Sequence, residues 1–123
     1  MKHMNTLFHY KKKIKANNNT TYFNSIIIMN NIPNEDSLKE GDFAEVVYKN
    51  QSYWAIFMCP CGCKNVISLP LQKCHKIYWK LKPSIDNKPT LYPSIRQNNG
   101  CMSHFWIIKG KIKWCRNRNK EPR

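Results

Sequence analysis

Residues 90–106 read TLYPSIRQNNGCMSHFW, and the rest of the chain is organised around them. A Ser follows a Pro at Ser94, a Cys follows a Gly at Cys101, and Ser103 stands beside His104. A metal-binding thiol and a hydroxyl near an imidazole thus meet in one stretch. Upstream, Cys59-Pro60-Cys61-Gly62-Cys63 forms a second dense cluster. Cys101 is expected to complete a metal site with that cluster, fixing the loop that carries Ser94 and His104.

Outward from this stretch the apolar runs are short and end at turn residues. Phe105-Trp106-Ile107-Ile108, Lys109-Gly110 and Lys111-Ile112-Lys113-Trp114 predict a hairpin, with Gly110 supplying the positive φ of a two-residue turn. Thr90-Leu91-Tyr92 leads into a turn at Pro93-Ser94, where a hydroxyl would be well presented. Strands are also expected at residues 65–69, stopped by Pro70, and 77–81, stopped by Pro83. Residues 43–48 and 53–58 predict another hairpin, turning at Lys49-Asn50-Gln51 and running straight into the cysteines. Residues 33–42 are acidic, and Asn34 can cap a single helical turn there. No longer helix is indicated.

The expected fold class is therefore mostly β, a small β-rich α+β unit. It would be a single compact, zinc-stapled domain of short antiparallel strands over residues 31–116. Residues 1–30 hold Lys but no acidic residue, with an Asn-Thr run at 17–21 and no sustained period. They read as a loose basic extension, and Met29 is an alternative start. Residues 117–123 read as a basic tail.

Size and composition narrow the chemistry. A chain of 123 residues makes one domain with a modest core, so a staple is expected. Six cysteines could pair in an oxidising compartment, but the only strong apolar run, Ile26-Ile27-Ile28-Met29, is too short for a secretory signal. Nothing approaches a membrane span. The chain reads as cytoplasmic, where clustered thiols bind metal rather than pair. The net charge of +14 would suit an acidic partner. Lys, Asn and Ile are abundant throughout, as an AT-rich genome would write them, and no nucleic-acid-binding module signature appears.

Zinc takes four ligands in a tetrahedron. Cys59, Cys61 and Cys63 are spaced more tightly than a usual knuckle, and Pro60 and Gly62 would have to bend the chain for all three to reach one ion. Cys101, Cys74, His75, Cys115 and His104 are candidates for the fourth position. Cys101 is preferred because Gly100 permits a tight turn. Four thiolates leave no open position, which makes the zinc structural; three and a water would make it catalytic.

A Ser hydroxyl is a nucleophile only with a base within reach. His104 is the nearest candidate to Ser94, whereas Ser103 and His104, adjacent in a strand, would point to opposite faces. A capping Ser and a packed His fit the same residues. No acidic third member suggests itself: Asp86 is the only Asp or Glu between the cysteine cluster and the C-terminal tail, and Asn98 or Asn99 is an alternative.

The series FMCPCGC, YWKL, TLYPSI, GCMSHFWI and GKIKW, over residues 33–115, resembles a family of small bacterial proteins encoded in ubiquitination-like (Bub) operons. The resemblance implies a serine protease with a Ser-His dyad, Ser94 and His104, and the metal ligands Cys59, Cys61, Cys63 and Cys101. It implies a role in processing or removing a ubiquitin-like protein, in a pathway with its own activating and conjugating enzymes and a likeness to antiphage systems. Two departures stand out. Lys64 replaces a Gly that commonly follows the third Cys, and Arg96-Gln97 replaces a Gly-Asn that often follows the Ile. Two non-protease readings fit the residues as well: a zinc-binding β module that recognises a ubiquitin-like partner, and a basic zinc protein that binds nucleic acid.

Overall fold

The computed structural model describes residues 20–98 and 100–115. In chain order the strands are β1 (Ile26–Met29), β2 (Phe43–Tyr48), β3 (Gln51–Met58), β4 (Val66–Pro70), β5 (Lys80–Pro83), β6 (Pro89–Arg96), β7 (His104–Ile108) and β8 (Lys111–Trp114). They form two four-stranded sheets, β1-β2-β3-β4 and β5-β6-β7-β8. The only helical element among the described residues is a 3-10 turn at Glu35–Ser37. Asn34 occupies its N-cap without a side-chain bond; instead the Ser37 hydroxyl donates to the Asn34 carbonyl at 2.7 Å. The expected α component reduces to that turn.

Both predicted hairpins form. Lys49 and Asn50 adopt φ of 50° and 66°, the left-handed pair whose twist matches the flanking strands, and Gln51 already belongs to β3. Lys109 and Gly110 do the same at 49° and 78°. A Cβ at Gly110 would sit 2.3 Å from the Phe23 carbonyl oxygen, so only glycine fits.

Two expectations about strands change. β5 begins at Lys80 rather than residue 77, because Trp79 turns aside to bond the Pro70 carbonyl at 2.9 Å. The expected turn at Pro93-Ser94 is a strand irregularity instead. β6 runs through it with a cis Tyr92–Pro93 bond, and its register against β7 slips between Leu91↔Ile107 and Ile95↔Phe105. Proline has no N–H to give the ladder, so the pairing skips these positions.

One core joins the sheets. Phe43, Phe57, Ile67 and Leu69 from the first meet Leu91, Ile95, Phe105, Ile107 and Ile112 from the second. A smaller cluster of Leu38, Ala44, Val46 and Ile56 covers the other face of the first sheet, flanked by Met29, Trp54, Met58 and Val66.

The boundary expected at residue 30 does not coincide with the packed unit. Phe23 is fully buried at the core, edge-on to Phe43 and Phe57 with ring centroids 5.4 and 5.3 Å away. β1 pairs with β2 in parallel, so the sheet is not wholly antiparallel. The N–H groups of Tyr22 and Phe23 donate to the Gly110 carbonyl at 2.9 and 3.0 Å, and Asn87 bonds Ile26 through both its backbone and its side chain. Residues 22–29 therefore strap the two sheets together. The sequence missed this because a single Phe and one Ile carry the burial, without a periodic pattern. The loose part of that expectation otherwise concerns residues 1–19, and the C-terminal tail residues 117–123; both lie outside the described residues.

Candidate active site and metal centre

β3 ends at Met58, and Cys59 to Cys63 lie in a turn rather than an extended strand. The Cys59 N–H bonds the Asn65 carbonyl at 2.8 Å and the Gly62 N–H bonds the Cys59 carbonyl at 3.3 Å, folding the loop back on itself. Gly62 and Lys64 take φ of 94° and 70° to close it. The partner loop turns at Gly100 (φ 62°) and Met102 (φ 56°), and a Cβ at Gly100 would approach the Asn65 side chain to 3.2 Å. The two loops thus abut, and they bring Cys59, Cys61, Cys63 and Cys101 together.

The four sulfurs all lie within 4.8 Å of one another. Cys59 and Cys101 are 3.7 Å apart. A tetrahedron of Zn–S bonds of about 2.3 Å spaces its sulfurs about 3.8 Å apart, so the donors match such an ion in number, type and spacing. Burial pushes the Cys59 thiol up, and does the same for Cys63. Burial also opposes ionisation of Cys101, but hydrogen bonds from the Ser103 hydroxyl and N–H, then from Cys61 and Cys63, bring it down to about 7. A divalent cation at the centre of four thiols would favour their thiolates and reverse the upward shifts. Cys74 and Cys115 stand outside this group of four.

On the second sheet, Ser94 Oγ lies 3.0 Å from His104 Nε2. The irregularity in β6 makes this meeting possible, since it shifts Ser94 relative to β7 while Arg96 pairs with His104. The Trp79 indole N–H holds the Ser94 carbonyl at 3.3 Å, and the Gln97 N–H closes the loop onto the Ser103 carbonyl at 2.8 Å. Ser103 is buried and bonds Cys101 through its hydroxyl and its N–H. Burial, then the Arg96 cation, lowers the His104 pKa from its ordinary value.

The other ring nitrogen, Nδ1, faces the Arg96 guanidinium at 3.2 Å. Asp86 is engaged elsewhere: Ser84 and Lys88 hold its carboxyl at about 2 in the turn between β5 and β6. Asn99 lies outside the described residues. Sequence reasoning missed Arg96 because Ser94 was read as a turn residue. Read as strand, Ser94 and Arg96 share a face by simple alternation.

No helix among the described residues is long and apolar enough to cross a membrane. No curated protein and no solved structure matches the chain. Residues 29–115, which contain the two cysteine loops, Ser94 and His104, match the model of the bacterial ubiquitination-like system serine protease family (BubE), and the chain belongs to that family.

Proposed function

We propose that the chain is a serine peptidase in which Ser94 is the nucleophile and His104 its base, cleaving a bacterial ubiquitin-like protein at its C-terminus. The observation that carries this reading is the 3.0 Å approach of Ser94 Oγ to His104 Nε2, in a chain of a serine protease family. His104 takes the Ser94 proton as Oγ attacks the carbonyl carbon of the modifier's last residue. The tetrahedral intermediate collapses, the leaving amine receives the proton from His104, and the acyl group remains on Ser94. Water, deprotonated by His104, then attacks the ester and frees the modifier's carboxylate. Precursor processing and deconjugation are the same reaction with different leaving groups.

Cys59, Cys61, Cys63 and Cys101 would hold a zinc ion, which supplies structural cross-linking. Four sulfur donors leave no coordination position for a substrate. The chain's contribution is positional: Cys101 anchors the loop that enters β7 at His104, three residues on.

The test is cleavage of a ubiquitin-like precursor carrying residues beyond the modifier's C-terminus, with labelling by a fluorophosphonate serine probe alongside. Wild type should cleave and label; Ser94→Ala should do neither while retaining zinc and fold. Undiminished cleavage by Ser94→Ala would refute the reading.

A further inference from the structure

Arg96 occupies the place at His104 where a Ser-His-acid triad puts its carboxylate. A guanidinium has only N–H donors, so at 3.2 Å it requires a lone pair on Nδ1. A neutral imidazole then carries its proton on Nε2, and Nε2–H donates to Ser94 Oγ across the 3.0 Å contact. In that tautomer Nε2 has no lone pair with which to take the Ser94 proton. The base form needs Nδ1–H, and Nδ1–H facing an Arg N–H sets two donors against each other. Arg96 must leave Nδ1 before Ser94 can react.

The surface around the pair indicates what draws it away. Alternation along β5, β6, β7 and β8 puts Lys80, Lys82, Lys111 and Lys113 on the outer face of the second sheet with Ser94, Arg96 and His104, while Leu81, Ile112 and Trp114 pack inward. Tyr92 and Trp106 form a ring pair there, centroids 5.7 Å apart. The only salt bridge among the described residues is Lys88–Asp86, so among them Arg96 has no carboxylate partner.

We propose that Arg96 is a specificity-determining residue: it holds resting His104 in the Nε2–H tautomer, and an acidic side chain of the substrate, near the scissile bond, draws it off Nδ1. The carboxylate accepts from the guanidinium and from the newly formed Nδ1–H together, so the substrate supplies a third member that the described residues do not. The substrate class is then a protein segment with Glu or Asp beside the cleaved bond. This rests on the peptidase reading of Ser94 and His104.

The test uses the full, zinc-loaded chain. Long-range proton–nitrogen correlation spectra should show His104 as the Nε2–H tautomer in wild type and in Arg96→Lys. Arg96→Gln, whose amide oxygen can accept from Nδ1–H, should populate the other tautomer. Acylation is read with acetyl-Glu-Gly and acetyl-Gln-Gly p-nitrophenyl esters, in which the bond from Ser94 Oγ to the acyl carbon forms and nitrophenolate leaves. Wild type should favour the Glu ester by about tenfold in kcat/KM, the scale of one charge-assisted bond. Arg96→Gln should lose that preference and react faster than wild type with the Gln ester. Equal rates for the two esters in wild type, or an Nδ1–H tautomer at rest, would overturn the proposal. So would tight binding of an oligothymidylate that blocks the Glu ester, since the face would then be built for phosphate. Nitrophenolate release that survives Ser94→Ala would instead fault the underlying peptidase reading.

Discussion

The outer faces of the two sheets meet solvent in opposite ways. That of the first is capped at its centre: Leu38 from the 3-10 turn region packs with Ala44, Val46 and Ile56. That of the second turns Leu91, Ile95, Phe105 and Ile107 inward and presents Ser94, His104, Arg96 and the Tyr92–Trp106 pair outward. A sheet face capped by apolar side chains serves mainly to hold the fold together. A sheet with one free face can carry chemistry, provided its side chains are fixed by something other than a core. Here the fixing comes from the cysteine loops at one end of β7 and from Trp79 on the Ser94 carbonyl.

The division of labour breaks first at the metal. Replacing Cys61 or Cys101 by Ser removes a proposed zinc ligand, and structural zinc is worth on the order of 10 kcal/mol in small domains. Both variants should lose zinc by elemental analysis and lose the cooperative unfolding transition. Cys74→Ser and Cys115→Ser should keep one zinc per chain. A full complement of zinc in Cys101→Ser would remove it from the ligand set.

Next come Ser94→Ala and His104→Ala, each expected to cost about 10⁴-fold or more in kcat/KM because the members of the proposed dyad would act as a unit. Both variants should hold zinc and melt near the wild-type temperature, since neither residue belongs to the core. Ser103→Ala should act mainly on the metal side, through its bonds to Cys101. Loss of zinc on His104→Ala would make the imidazole a ligand and collapse the distinction between the two sites.

Stability should answer to the opposite set of residues. Phe23→Ala removes a fully buried ring and should cost about 3–5 kcal/mol in chemical denaturation. Leu38→Ala, on the capped face of the first sheet, should cost about 2–3 kcal/mol without touching activity. A chain starting at Met29 lacks Phe23 and Ile26 and should be destabilised at least as much as Phe23→Ala. Equal melting of that shortened chain and the full one would show the strap to be superfluous.

The open face should also be legible in pH. As the proposed base, His104 works only when neutral, so activity should rise with pH through its pKa. Burial and Arg96 lower that pKa, which puts the rising limb of kcat/KM below the usual histidine value of about 6.5. Arg96→Gln removes the nearby cation, leaves the charged imidazole less disfavoured, and should move the limb to higher pH.

How much of this the sequence disclosed depends on whether a feature was written in neighbouring residues. The hairpins at Lys49-Asn50 and Lys109-Gly110 are local, and their turn chemistry announced them. The four cysteines could be grouped because three are clustered and the fourth follows a glycine. Phe23 could not be placed, since its partners Phe43 and Phe57 lie far along the chain and nothing around it repeats. Arg96 was hidden for a different reason: proline normally signals a turn, and here it sits within a strand whose pairing skips it.

The smallest effect concerns the loop that supports the open face. Lys64 has φ of 70°, a region costing an L-residue about 1–2 kcal/mol, and it is exposed, so its side chain packs against little. Lys64→Gly relieves that strain but gains backbone entropy in the unfolded chain, about 0.5–1 kcal/mol in the other direction. The net expectation is a gain of no more than about 1 kcal/mol in unfolding free energy, with zinc content unchanged. The outcome discriminates two roles for this residue. If conformation is all that matters, metal affinity in a chelator competition stays the same while the denaturation midpoint rises slightly. If the ammonium helps to balance the negative charge of four thiolates around a divalent ion, Lys64→Gly weakens zinc binding, and the effect shrinks as salt screens it. The first outcome would leave the metal loop a purely mechanical support for His104, and the second would make its charge part of that support.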